Sequence, residues 1–378
     1  FSYIINSMAQ LQKNNYKTFS NSLLSWYDFN RRILPWRAPP GEISNPYHVY
    51  LSEIMLQQTV VKTVIPYFLK FVRKWPDINA LAKAELHEIN SYWAGLGYYS
   101  RAKNLHETAK IISNKYDGFF PTDKNSLMAL PGIGEYTSSA IMAIAFDRKS
   151  NVIDGNVERV FSRFYAVEKP IQESKIFIKN IAEEHLPDNR HGDYAQALMD
   201  LGSLICIPKS PRCKMCPLLA ICDVGGTTSA KQYPIKLPKK EKEERYGLFF
   251  YLQNKDGAVL FETNKSSGLL ANMDVLPSIG WYEKSNRFKK SPKFNKKKPN
   301  FLGMKWKILD QNLNHIFTHF KLNCSVAIAT INDENSLIND LSKSSYRFVQ
   351  KTNINDLALP SLIKKILNAL KNNEILDF

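Results

Sequence analysis

The chain has 378 residues, a net charge of +16 and five cysteines. That length predicts two or three domains, each able to bury its own core, and 44% apolar with 12% aromatic residues excludes a disordered tail. No uncharged apolar run approaches the roughly 18 residues of a spanning helix, and an excess of 51 Lys and Arg over 35 Asp and Glu favours a polyanion, most simply nucleic acid, over a membrane surface.

At the start, Phe1 to Ser7 is apolar but too short for a signal peptide and lacks its charged opening, so Met8 is expected as the initiator. Residues 16 to 222 read as mostly helical. Apolar side chains recur at three- and four-residue spacing in Phe19–Leu23–Tyr27, Val60–Val64–Phe68, Leu105–Ala109–Ile112 and Ala140–Ile144. Proline and glycine punctuate them at Pro35, Pro76, Gly95, Gly97, Pro121, Gly132 and Gly134.

Within this stretch, Glu53 sits in Tyr50-Leu-Ser-Glu-Ile-Met-Leu-Gln-Gln-Thr59, where a helical glutamate ordinarily faces solvent. Leu130-Pro-Gly-Ile-Gly-Glu-Tyr-Thr137 separates a short helix, Asn125–Ala129, from a longer one, Tyr136–Phe146. Its glycines let the backbone approach a ligand, and the following helix offers free N–H groups, an arrangement that suits one DNA phosphate. Asp154, in Val152-Ile-Asp-Gly-Asn-Val157, precedes another helix, where the ordinary role of aspartate is the N-cap.

Four cysteines then fall together as Cys206-x6-Cys213-x2-Cys216-x5-Cys222. A disulfide-stapled secreted protein would spread its cysteines through loops, so this window points to one soft metal centre. Zinc prefers two close pairs, and only Cys213/Cys216 is one. The uneven outer spacings favour a cubic iron–sulfur cluster over zinc.

Residues 223–245 change character, with Gly225-Gly-Thr-Thr-Ser, Pro234, Pro238 and then Lys-Lys-Glu-Lys-Glu-Glu-Arg, a linker composition. Beyond it the period becomes two. Tyr246–Gln253 and Ala258–Thr263 flank Asn254-Lys-Asp-Gly257, a hairpin signal. Eight basic residues between Lys284 and Lys298 read as a solvated loop able to add salt-sensitive affinity for phosphates. Cys324 to Ile331 is another strand, with Cys324 a buried core residue, and Pro360–Leu370 is a closing helix. Residues 1–222 carry 26 basic and 20 acidic side chains, so most of the excess charge lies beyond them.

The LPGIG hairpin, the DGNV aspartate and the cysteine loop resemble the helix–hairpin–helix DNA glycosylases of the endonuclease III superfamily. LPWR at 34–37, LSEIMLQQT at 51–59 and GLGYYSRAKNL at 95–105 narrow the resemblance to the MutY-type adenine DNA glycosylases. It implies a mostly α helix–hairpin–helix glycosylase domain over 8–222, with the hairpin at 130–137 and an iron–sulfur cluster loop at 206–222. A linker at 223–245 and an α+β NUDIX-like domain at 246–378, reading 8-oxoguanine, would follow.

The resemblance also assigns roles. Glu53 is the acid that protonates adenine at N7 and later handles water. Asp154 stabilises the cationic sugar, and Tyr136 and Asn156 hydrogen-bond around these carboxyls. Leu51, Ile54, Met55 and Leu56 are expected as apolar walls that keep Glu53 protonated. Arg37 and Gln196 line the adenine pocket, Gln58 and Tyr98 intercalate where the base is flipped out, and Thr59, Gly132 and Gly134 contact DNA. Cys206, Cys213, Cys216 and Cys222 hold a [4Fe–4S] cluster, which presents Lys209, Arg212 and Lys214 to phosphates. Phe317, Thr318 and His319 match the 8-oxoguanine loop, with Thr318 replacing the family's serine: the hydroxyl is kept and a methyl is added. Ser267-Gly-Leu-Leu-Ala-Asn-Met departs from the family's Gly-Leu-Trp segment.

In the lyase branch of the superfamily a lysine follows the second hairpin glycine by two. Here that position is Tyr136, which cannot form an imine, so a monofunctional glycosylase is expected. NUDIX pyrophosphatase activity would need a glutamate-rich helix for Mg²⁺, yet the 30 residues after Gly268 hold only Asp274 and Glu283 as acids. The expected partner is double-stranded DNA with A:8-oxoguanine or A:G mispairs, bound by a cytoplasmic monomer. The alternatives are an endonuclease III-type glycosylase/lyase and a non-catalytic, cluster-bearing DNA-binding protein. Glu53 and Asp154 in matched contexts argue against the latter.

Overall fold

The computed structural model describes residues 2–238, 241–264, 269–270, 273–281, 302–309, 313–332 and 345–372. The lysine-rich run at 284–298 and most of 267–273 lie outside them. Two compact units form, one from 1–84 and 104–239, the other from 85–103 and 240–378. Among the described residues no helix is long and apolar enough to cross a membrane.

The first unit is helical. α1 (Ser2–Asn30), α2 (Pro46–Leu56), α3 (Val61–Lys74) and α4 (Ile78–Ala82) come first, and α5 (Leu86–Trp93) falls in the second unit. α6 (Ser100–Lys115), α7 (Lys124–Met128), α8 (Glu135–Phe146), α9 (Gly155–Phe164), α10 (Ile171–Glu184) and α11 (His191–Leu204) follow. α2 starts cleanly because Asn45 caps it, accepting from Tyr47 N–H and His48 N–H, with Pro46 as its first residue. Its residues Tyr47, Val49 to Met55 are buried on every side, the mark of a central helix rather than a surface one. One core gathers Phe19, Leu23 and Tyr27 of α1 with Val157, Val160 and Phe161 of α9 and Leu198 and Leu201 of α11.

The stretch read as a linker is partly packed here. Thr228–Gln232 forms a short 3₁₀ helix with Ala230 buried, and Ile171 N–H donates to Ile235 O at 2.8 Å.

Among the described residues the second unit carries an eight-stranded sheet, and its strands in chain order are β1 (Glu243–Asn254), β2 (Val259–Thr263), β3 (Asp274–Val275), β4 (Ser278–Ile279), β5 (Lys307–Ile308), β6 (Leu313–Ile316), β7 (Phe320–Ile331) and β8 (Tyr346–Val349). The order β3-β2-β1-β7-β5 is joined by β4 on β1, β6 on β7 and β8 on β2. β1 and β7 pair in parallel from Glu243↔Phe320 to Asn254↔Ile331, and the other pairs are antiparallel. The expected hairpin closes with Gly257 at φ +81° and its N–H donating to Asn254 O at 3.1 Å.

Strand alternation makes two cores, one on each face of the sheet. Phe249, Tyr251, Val259, Phe261, Leu322, Cys324 and Val326 face one way, against Leu362, Ile363, Ile366 and Leu370 of the closing helix α12 (Ser361–Asn372). Leu248, Phe250, Leu252, Leu260 and Trp306 face the other. Cys324 is thus a core residue, as its apolar run implies.

In the first unit, α11 approaches α8 so closely that a Cβ on Gly192 would lie 2.7 Å from Ala143 O. Gly192→Ala is expected to cost about 1–3 kcal/mol, read from the midpoint of chemical unfolding; an unchanged midpoint would show that the helices can separate freely.

Candidate active site

Glu53 stands in the last turn of α2, and because that helix is buried all round, its carboxyl is only 6% exposed. Burial raises its pKa from 4.5 to about 7, with the neighbouring Asp154 charge adding to the effect. A hydrogen bond from Tyr136 and the positive Arg37 act in the opposite direction without overcoming it. Tyr136, in the first turn of α8, is held well above the ordinary phenol range by burial and by the two carboxyls, so it remains a neutral donor. Its hydroxyl also lies 3.9 Å from Met199 Sδ of α11.

Asp154 caps α9. One carboxylate oxygen accepts from Asn156 N–H at 2.9 Å and Val157 N–H at 2.8 Å, and the other accepts from Asn156 Nδ2 at 2.8 Å. The ordinary capping role and the site role therefore coincide. Asn156 is itself fixed, since its Oδ1 accepts from Arg159 Nη2 at 2.7 Å and a Cβ on Gly202 would lie 2.5 Å from its own Cβ. Four of the predicted residues, Glu53, Tyr136, Asp154 and Asn156, thus share one neighbourhood.

Arg37 is present but occupied. Its Nη1 and Nη2 bond Asp200 at 2.7 and 2.8 Å, and Arg32 Nε bonds the same carboxylate at 2.7 Å. Asp200, fully buried on α11, absorbs both cations. One helical turn earlier on the same face, Gln196 donates its Nε2 to Gly192 O at 3.2 Å, while its buried Oε1 has no protein partner. A buried amide oxygen without a donor is a place for a ligand N–H.

Leu56 ends α2 half-buried, and Gln58 follows, exposed and at φ +58°. Gln57 Nε2 reaches Thr137 Oγ1 at 3.4 Å, and Thr59 N–H donates to Leu56 O at 3.1 Å. In the hairpin, Gly132 adopts φ +76°, and a Cβ there would strike the Asn104 side chain at 2.8 Å. Gly134 caps α8 without a side chain, so the first-turn N–H groups of that helix face no capping oxygen.

Four predicted residues, Tyr98, Phe317, Thr318 and His319, lie in the second unit. Tyr98 is 46% exposed at φ +49°, and its hydroxyl meets Thr318 Oγ1 at 3.1 Å. Thr318 and His319 form the exposed tip of the turn between β6 and β7, closed by Phe317 N–H donating to Phe320 O at 2.9 Å.

The four thiols of Cys206, Cys213, Cys216 and Cys222 line one cavity with Arg163, Ile205 and Leu219, and none is in a disulfide. Among the described residues no three His, Cys, Asp or Glu side chains converge closely enough to hold a single ion. Four sulfur donors around one cavity are a set that suits a soft metal centre. Arg163 braces this loop through Ile207 O and Pro208 O at 2.8 and 2.7 Å, and Arg159 Nε donates to Cys206 O at 2.7 Å.

Asp200, Arg159 and Arg163 were not legible as site residues. Their only sequence signal is helical spacing: Asp200 follows Gln196 by four, and Arg159 and Arg163 are four apart on α9.

Residues 51–186 match the HhH-GPD superfamily of base excision DNA repair proteins, and residues 248–369 match the NUDIX domain. The adenine DNA glycosylase of Buchnera aphidicola subsp. Schizaphis graminum is 34% identical over 356 residues, covering 93% of this chain and 99% of its own. That of Mus musculus is 42% identical over 211 residues, or 54% of this chain and 41% of its own. A solved thermostable thymine-DNA glycosylase is 30% identical with a TM-score of 0.50, covering 57% of this chain and 97% of its own.

The buried acid carries a stability consequence. The fold keeps a proton that the unfolded chain releases above 4.5, so the Glu53 contribution declines as pH rises from there through about 7. Relative to wild type, Glu53→Gln is expected to gain on the order of 3 kcal/mol between about pH 4 and about pH 8. Unfolding midpoints of both proteins across that range check it, and a pH-independent difference would place the carboxyl in contact with water.

Proposed function

The chain belongs to the adenine DNA glycosylase family, and we propose that it hydrolyses the N-glycosidic bond of adenine mispaired with 8-oxoguanine or guanine in duplex DNA. The observation that carries this reading is the buried Glu53 carboxyl, poised at about 7 beside Tyr136 and a second, separately capped carboxylate. Adenine bonded to deoxyribose leaves poorly. Cleavage needs a proton on the base and a negative partner for the developing oxocarbenium ion, the division of labour of paired glycosidase carboxyls.

Glu53 gives its proton to adenine N7, with Tyr136 holding the carboxyl in place. The C1′–N9 bond then breaks with its electrons leaving on the protonated base. The Asp154 carboxylate, kept aimed by Asn156, stabilises the cationic sugar until water adds at C1′ and gives up its proton to the Glu53 carboxylate. Gln196 Oε1 accepts from the adenine amino group, supported by its lack of a protein donor. Adenine reaches this pocket only when flipped from the stack. Gln58 and Tyr98, exposed and held at positive φ, would fill the gap it leaves. The hairpin at Gly132–Gly134 and the start of α8 would hold one phosphate.

Cys206, Cys213, Cys216 and Cys222 would hold a [4Fe–4S] cluster. When bound, it supplies four iron–thiolate anchors, and the loop they fix brings Lys209, Arg212 and Lys214 to DNA. In the second unit, the Thr318–His319 turn would read the opposite base. A hydroxyl at Thr318 can accept from the N7–H that 8-oxoguanine has and guanine lacks.

Single-turnover assays should release adenine from 8-oxoguanine:A and G:A duplexes, with strand breakage only after alkali. The rate is expected to fall as pH rises through about 7, because Glu53 must be protonated. Glu53→Gln should lose roughly 10²–10⁴ in rate while still binding DNA. Full activity in that variant, or strand cleavage without alkali, would overturn the mechanism. Iron analysis should give about four irons per chain with sulfur-to-iron absorption in the visible; stoichiometric zinc in a colourless protein would refute the cluster.

A further inference from the structure

The turn that carries Thr318 and His319 has only one anchor among its own ring side chains, Phe317, whose half-buried ring enters the sheet-face core. Beneath that ring lies Trp281. The two rings stack with centroids 5.7 Å apart and planes 14° from parallel. Trp281 is 1% exposed, donates its Nε1 to Ser278 Oγ at 2.9 Å, and packs on Phe249 at 5.8 Å between centroids.

Its place is built into strand β1. A Cβ on Gly247 would lie 2.9 Å from Trp281 Cδ1, so the indole lies on the bare backbone of the strand. On the other side Phe320, 4.7 Å from Phe317, completes the seat. Lys242 Nζ ties down Phe317 O at 2.9 Å.

We infer that Trp281 is a positioning residue for recognition of the base opposite adenine: through Phe317 it fixes the aim of the Thr318–His319 turn. The inference rests on the reading of that turn as the 8-oxoguanine contact. 8-Oxoguanine and guanine differ by one N–H and one oxygen, so a turn can tell them apart only if its hydroxyl is held to within a few tenths of an ångström. Thr318 and His319 are exposed and bring little packing of their own. The stack of Gly247 backbone, Trp281 and Phe317 supplies rigidity from beneath to a tip whose own polar contact is Thr318 Oγ1 with the Tyr98 hydroxyl. Trp281 meets the turn through the Phe317 ring, so its effect should appear in discrimination and not in the chemical step.

The test compares single-turnover adenine excision by the full chain opposite 8-oxoguanine and opposite guanine, at sub-saturating enzyme. Wild type is measured first; equal rates on the two duplexes would remove the reading of the turn itself, before any variant is made. Given a wild-type preference, Trp281→Leu should reduce the 8-oxoguanine-to-guanine ratio by at least about tenfold. The loss should fall on the 8-oxoguanine duplex, with the guanine rate changed less than about threefold. Trp281→Phe, which keeps an aromatic ring under Phe317, should retain most of the ratio.

Leu260→Ala separates positioning from general loosening, since Leu260 lies in the core on the opposite face of the sheet. It should lower the melting temperature yet keep the ratio. If Trp281→Leu does not fold, Gly247→Ala, whose new methyl presses on the indole, should lower the ratio in the same sense. An unchanged ratio in Trp281→Leu or Gly247→Ala, or an equal collapse in Leu260→Ala, overturns the inference.

Discussion

The candidate site depends on a carboxyl held out of bulk solvent. α2 is buried on every side, so a glutamate in its last turn is largely desolvated, and its charged form is disfavoured. The surrounding groups respect that constraint. Tyr136 donates to Glu53 without ionising, and the carboxylate of Asp154 has its own donors on α9. Arg37 is the group that could spoil the arrangement, because a free guanidinium beside Glu53 would pull the carboxyl into its ionised form. Asp200 prevents this by taking both Nη atoms of Arg37. The paired carboxyls of the site thus rest on a third carboxylate that keeps the local cations satisfied.

Much of this was legible because it is local. Helical spacing located Phe19–Leu23–Tyr27 and the helix after the hairpin, and the Asp-Gly-Asn-Val run marked a capped helix start. Asn-Lys-Asp-Gly marked the β1–β2 turn, and the apolar run around Cys324 marked a core strand. What escaped is non-local. Spacing within Tyr50–Leu56 suggests only a solvent-facing glutamate; the apolar setting of Glu53 is implied by the family resemblance and arises from packing of α2 with α8 and α3. β1 begins at Glu243, inside a charged run with linker composition, because its early residues are held by the ladder to β7 and not by an apolar face. Strands of two residues, such as β3 to β5, are too short to show a period. The roles of Asp200, Arg159 and Arg163 appear only when distant helices meet.

Two exposed residues share a conformation that their side chains do not favour. Gln58 and Tyr98 both sit at positive φ, though neither is glycine. Such backbone persists only where the surroundings over-determine it. For Gln58 the end of α2 and the Leu56–Thr59 turn do so, and for Tyr98 the Gly95–Gly97 bend and the start of α6. Both side chains stay exposed all the same, Tyr98 with its ring beside the Arg101 guanidinium.

The long parallel pairing of β1 with β7 also governs the order in which the second unit can form. β1 is complete at Asn254, but its partner begins at Phe320, so the emerging chain must lengthen by dozens of residues before the ladder can close. Until then one long edge of β1, rich in Leu248, Phe249, Phe250 and Leu252, is left without its principal neighbour. An unpaired apolar edge is a template for self-association. A chain that stops short of β7 should therefore self-associate more readily than the full chain. On this topology, only a chain that reaches Phe320 and beyond can complete the sheet on both sides of β1.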